Sequence, residues 1–220
     1  MLRGGKRAAV SVSSWFCIPE QGMKDFEILS RASGFLVPAQ AQYRKQFHIV
    51  TCSHSISPWR WPKYYPMDWL QHVNEKHTYY TLEVRHDDGS FATQLELQPT
   101  SFHHKNRDVA ALHLENEKDG VKLLENLGYD PLSWNFEFLH PQDELYFSGH
   151  ELVGQIHEDG TDERKPVPRL VGGCMTKQTE NGQNFGSTGA KVLSDGMCGG
   201  PVLTSNSTQV VGMVEGIFRS

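Results

Sequence analysis

Apolar runs of strand length recur along the chain between turn residues. Gly34-Phe-Leu-Val37, Phe47-His-Ile-Val-Thr51, Tyr79 to Val84, Phe91 to Leu97 and Val109 to Leu114 form a first group. Within it Leu95-Glu-Leu-Gln98 alternates apolar and polar positions with period two, the pattern of a strand with one buried face. Leu145-Tyr-Phe-Ser148, Leu152 to Ile156, Leu170-Val171, Lys191-Val-Leu193, Pro201-Val-Leu203 and Val210 to Val214 form a second group. This spacing predicts an all-β chain of two halves, each with about six strands. Between them, Val121, Leu123, Leu124 and Leu127 lie among charges in Asn116 to Leu127 and predict one amphipathic helix, closed by Gly128 with Pro131 beyond.

Three stretches fall outside this pattern. Ser57 to Leu70 is crowded with aromatics and prolines, which suit either a recognition surface or a long loop packed onto its own domain. Glu158 to Lys165 is charged and suits a solvated hairpin tip. The first 19 residues carry Arg3, Lys6 and Arg7 and no acid before Glu20, a composition shared by mitochondrial or other organellar transit peptides and by the basic, loosely ordered N-terminus of a cytoplasmic protein. The expected organisation is therefore an N-terminal extension (1–25), a first β half (26–115), a linker (116–135) and a second β half (136–220).

Composition narrows the functional classes. At 220 residues the chain can bury a full core without disulfides or metals. No stretch approaches the roughly 18 to 20 uninterrupted apolar residues of a membrane span. With 26 acidic against 21 basic residues there is no global attraction for nucleic acid. The four cysteines are far apart and lack a C-x-x-C pair. Cys52 is expected to be a small buried hydrophobe or a redox partner of another thiol. The eleven histidines include His103-His104, whose side chains would point to opposite faces of a strand, and no H-E-x-x-H accompanies them. No metal and no cofactor are expected.

Three segments complement one another chemically. Ile49-Val-Thr-Cys-Ser-His54 puts a histidine just after a strand, Asp108 opens the strand Val109 to Leu114, and Asp195-Gly-Met-Cys198-Gly-Gly-Pro201 puts a cysteine in a glycine loop. Acyl transfer needs a nucleophile, a base and an anion that orients the base, roles that suit Cys198, His54 and Asp108 in turn. Glycines let backbone N–H groups converge on a developing oxyanion, here those of Gly196 and Cys198.

In order and content these blocks resemble the chymotrypsin-like (trypsin-fold) protease superfamily. Its serine members carry T-A-A-H, D-I-A-L-L and G-D-S-G-G-P where this chain has Thr51-Cys-Ser-His54, Asp108-Val-Ala-Ala-Leu112 and Gly196-Met-Cys198-Gly-Gly-Pro201. Ala32-Ser-Gly-Phe-Leu-Val37 is similar to the G-S-G-F-L-V strand of the HtrA-type branch, and the likeness spans about residues 30 to 217. It implies two six-stranded antiparallel β-barrels, a polypeptide substrate or partner protein, and a substrate pocket around Val192, Leu193, Ser194 and Val214, whose apolar base would favour medium-sized apolar side chains.

Two departures stand out. Cysteine holds the nucleophile position, as in chymotrypsin-like cysteine proteases of positive-strand RNA viruses. The family's further strand and closing helix after the segment matching Val210 to Ile217 have no counterpart, so the second barrel is expected to lack one strand at its C-terminal side. The open edge would suit pairing with another segment or an assembly partner. The resemblance leaves open a peptidase with a Cys198-His54-Asp108 triad and an inactive pseudoprotease serving as a structural or interaction subunit.

Overall fold

The computed structural model describes residues 7–39, 47–136, 138–157, 162–180, 183–204 and 209–217. The chain is all-β, with two short α-helices. Strands β1 (Val10–Phe16), β2 (Glu27–Pro38), β3 (Phe47–Thr51), β4 (Thr78–Arg85), β5 (Phe91–Leu97), β6 (Phe102–His103) and β7 (Ala110–Leu112) form an antiparallel sheet in the order β5-β4-β1-β2-β3-β7-β6. The sheet curls until Leu97 bridges Leu114, where the Gln98 N–H donates to the His113 carbonyl at 2.8 Å and the Glu115 N–H to the Glu96 carbonyl at 3.0 Å. That seam joins β5 to the chain leaving β7, so six strands close into a barrel. Its interior holds Val10, Val12, Leu36, Ile49, Leu82 and Leu112.

The second sheet contains β8 (Ser133–Trp134), β9 (Glu144–Val153), β10 (Lys165–Gln178), β11 (Asn184–Ser187), β12 (Pro201–Leu203) and β13 (Gln209–Met213), in the order β11-β10-β9-β12-β13-β8. It is antiparallel except for β8, which runs parallel to β13. Among the described residues it forms a half-barrel with β11 and β8 at its edges. Leu145, Phe147, Met175, Met197, Val202 and Val214 fill its concave side. Alternation along β2 joins the two halves: Leu36 enters the first barrel, whereas Phe35 and Val37 pack with Leu203 and Val210 of the second sheet.

Helix α2 (Glu117–Asn126) lies where the periodicity places it. The Asn116 side chain accepts the Asp119 N–H at its start, and Gly128 follows its end with φ of 78°. Val121 and Leu124 seal the barrel core. Residues 158–161 of the expected hairpin tip lie outside the described residues, but β9 and β10 pair in antiparallel register on either side of them.

Three local expectations change. The segment assigned to an N-terminal extension supplies β1, a central strand between β2 and β4, with Val10 and Val12 fully buried. Its serines hid it: Ser11, Ser13 and Ser14 are also fully buried, so the strand is covered on both faces and shows no exposed polar side. Lys191-Val-Leu193 is not a strand but part of the irregular loop before Cys198, with Val192 71 % exposed. The strand beside β10 is the polar β11, which has little apolar signal.

His150 on β9 is completely buried and, among the described residues, neither ring nitrogen has a hydrogen-bond partner, so desolvation, with a lesser contribution from Arg85, lowers its pKa to about 3. The unfolded chain then binds a proton below about pH 6.5 that the folded chain refuses, and stability falls as pH drops from there toward 3. His150→Leu should recover about 2 kcal/mol of the stability the parent loses between pH 6.5 and 5, measured by urea unfolding at both values. An identical loss in parent and variant would contradict the assignment.

Candidate active site

Helix α1 (Ser53–Ile56) is a single turn at the end of β3, and it carries His54. Asp108 precedes β7, the neighbour of β3, so strand pairing brings the two residues together. One Asp108 carboxylate oxygen accepts the His54 backbone N–H at 2.8 Å and the other pairs with the ring Nδ1. Both side chains are buried. The carboxylate thereby fixes the ring and directs its proton to Nδ1, leaving Nε2 as the basic nitrogen.

Cys198 comes from the other half, following a short 3-10 turn at Asp195–Met197. Its carbonyl accepts the Ser33 N–H at 2.9 Å, while the Ser33 hydroxyl donates to the Gly196 carbonyl at 2.7 Å and accepts the His150 N–H at 2.8 Å. Gly199 passes so close to β2 that a Cβ would lie 2.1 Å from the Ser33 carbonyl, and its φ of +84° excludes ordinary side chains as well. The glycine loop is thus held against the first barrel. Asp108 contributes to the electrostatics of the Cys198 thiol, but among the described residues no hydrogen bond joins that thiol to the imidazole.

The loop is in a closed state. The Cys198 N–H donates to the Asp195 carbonyl at 3.2 Å. In a trans peptide C=O and N–H point in opposite directions, so this contact turns the Gly196 N–H away. The two donors expected to form an oxyanion hole do not converge in this conformation. Burial, followed by the nearby Asp195 and Asp108 charges, pushes the Cys198 thiol up to about 12.

Aromatic rings from the loop after α1 surround the imidazole. Tyr64 stacks on it at 5.7 Å between centroids, Trp61 meets it edge-on at 6.3 Å, and Tyr65 lies 6.2 Å away. The same loop sends Trp59, Tyr65 and Leu70 onto a small core with Phe16 and Ile18. Both readings of the aromatic stretch therefore have a structural counterpart, with Tyr64 65 % exposed above the site. His103 makes local bonds: its Nδ1 lies 2.6 Å from the Ser53 hydroxyl and its Nε2 2.9 Å from that of Ser101.

No family model and no curated protein sequence matches the chain. Among solved structures, the crystal structure of the Rv3671c protease in its inactive form covers 96 % of this chain and 77 % of its own, at a TM-score of 0.51 and 13 % identity. The fold is trypsin-like. At that identity the likeness concerns architecture alone.

On this trypsin-like frame the expected pocket residues separate. Val192 projects into solvent and Leu193 packs partly against the second core. The Ser194 hydroxyl is buried and has no hydrogen-bond partner among the described residues. Val214 is buried in the core, while its carbonyl accepts the Gly199 N–H at 2.8 Å and the Cys52 thiol at 3.2 Å. The sequence reading missed Ser33, Tyr64 and Glu215. Burial, then the neighbouring Asp108 charge, raises the pKa of Glu215. Only the crowding of aromatics after His54 hinted at the cap, and neither Ser33 nor Glu215 carries a local pattern.

Two measurements follow from the closed loop. Alkylation of Cys198 by iodoacetamide, followed by mass spectrometry, should accelerate about tenfold per pH unit from 7 to 10, and a plateau near pH 8.5 would contradict a thiol held near 12. Ser33→Ala leaves the buried Gly196 carbonyl and His150 N–H without their partner and should lower stability by about 1 to 3 kcal/mol in urea titration.

Proposed function

We propose that this chain is a peptidase that cleaves polypeptides with Cys198 as nucleophile, His54 as general base and Asp108 as the group that orients His54. The observation that carries the reading is the buried His54–Asp108 pair, in which one carboxylate accepts both the backbone N–H and the ring Nδ1–H of the same histidine. A buried carboxylate used this way leaves Nε2 free to take a thiol proton. Cys198 would attack the scissile carbonyl, the amine would leave with the proton taken up by His54, and water would hydrolyse the thioester.

The closed loop becomes a resting state in this reading. Rotation of the Asp195–Gly196 peptide would remove the Asp195 carbonyl from the Cys198 N–H and aim both the Gly196 and Cys198 N–H groups at the substrate oxygen. Val192, Leu193 and Ser194 would border the bound side chain, with Val214 supplying backbone, and medium-sized apolar residues are the proposed preference. The same contact, together with the protonated Cys198 thiol, favours a second reading: an inactive pseudoprotease that binds a partner protein, with the outer edge of the second sheet available for assembly.

A peptidyl electrophile bearing a leucine, valine or alanine before the reactive carbon separates the two. The peptidase should label at Cys198 faster than a free thiol at pH 7.5, and His54→Ala should slow labelling by a factor of about 100 or more. Labelling at the free-thiol rate, unaffected by His54→Ala, would discard the peptidase in favour of the binding module.

A further inference from the structure

Cys52 ends β3 two residues before His54, and its side chain is completely buried. Its sulfur, an imidazole nitrogen of His54 and a carboxylate oxygen of Asp108 all lie within 4.8 Å of one another. Among the described residues these three are the only cluster of histidine, cysteine and acidic side chains so closely gathered. A hydrolytic site of the proposed kind has no task for this thiol.

We propose that Cys52, His54 and Asp108 form a binding site for a thiophilic divalent cation of the zinc type. Thiolate, imidazole and carboxylate are the three side-chain donors zinc takes, at bond lengths of about 2.0 to 2.3 Å, which places tetrahedral donors about 3.5 Å apart. The Cys52 sulfur would close in while His54 and Asp108, now hydrogen-bonded to each other, part to admit the ion, with water in the fourth position. Charge supports the assignment. A buried Asp108 carboxylate and a Cys52 thiolate balance a dication, so loading replaces a net negative buried site by a neutral one. One proton, from the Cys52 thiol, leaves with each ion bound.

Occupancy would silence His54 through either nitrogen. An ion on Nε2 takes the lone pair that would receive the thiol proton, and an ion on Nδ1 drives the ring proton onto Nε2. Regulation of catalysis in this way rests on the peptidase reading, whereas ion binding does not.

Titration of the reduced, chelator-stripped full chain with Co²⁺, and competition by Zn²⁺, tests the site. One ion per chain with a thiolate-to-cobalt charge-transfer band is expected. Cys52→Ser, which keeps a donor for the Val214 carbonyl, should weaken binding at least a hundredfold and remove the band while keeping a cooperative thermal transition. Asp108→Asn should also weaken binding, and His48→Ala should not. Cys198→Ala should keep the band. No bound ion, or a band that survives Cys52→Ser, or one that is lost with Cys198→Ala, would overturn the proposal. If the variant does not fold, release of one proton per Zn²⁺ bound by the unaltered chain at pH 7.5 replaces it, and binding without proton release would be fatal. Zinc should suppress probe labelling at Cys198 in the parent but not in Cys52→Ser. A chain that binds Co²⁺ yet never labels faster than a free thiol would lose the peptidase reading and keep the ion site.

Discussion

Ser33 ties the two halves together with its whole polar complement. Its N–H holds the Cys198 carbonyl, its carbonyl accepts the Thr51 hydroxyl at 2.7 Å, and its own hydroxyl bridges the Gly196 carbonyl and the His150 N–H. One residue of β2 thus spaces the Cys198 loop from the strand that leads to His54. The bonds are buried, where an orphaned partner has no water to turn to, and so the joint is more demanding than an exposed one. Gly199 belongs to the same constraint, because only a residue without Cβ can pass the Ser33 carbonyl. The joint thereby holds the Cys198 loop against β2 in one geometry.

That joint also explains why the loop can rest closed. With the Gly196 carbonyl held by Ser33, the Asp195–Gly196 peptide is the next unit along the chain, and its carbonyl accepts the Cys198 N–H at the rather long distance of 3.2 Å. Beside it, Tyr64 stacks on the His54 ring and Trp61 meets it edge-on. Under the peptidase proposal, opening would take two separable motions, a peptide rotation below Cys198 and a displacement of these rings beside His54.

The sequence made the chemistry more legible than the frame. His54, Asp108 and Cys198 sit in short blocks whose residue types suit the proposed acyl transfer, and strand pairing brings the first two together. The helix at Glu117–Asn126 was readable because its cap, periodicity and terminal glycine agree. Val10–Phe16 was not, since a strand covered on both faces loses its alternation and its serines mimic a leader. Asn184–Ser187 was missed for the opposite reason: it pairs through backbone while its side chains stay mostly in solvent. The cap over His54 and the placement of Cys52 beside Asp108 are tertiary facts, and no spacing along the chain encodes them.

The position of β1 has a consequence for how the molecule assembles. Val10–Phe16 pairs first with β2 nearby, but its other edge waits for β4, with Ser11 opposite Glu83. The barrel seam closes later still, when Leu114 reaches Leu97. During synthesis from the N-terminus, a strand destined for the centre spends the translation of some sixty residues with one side unpaired. Such an edge is the kind that recruits foreign strands, and contacts this distant in sequence form slowly. Chaperone dependence and aggregation of nascent chains should therefore concentrate in this first barrel, before Cys198 has even been made.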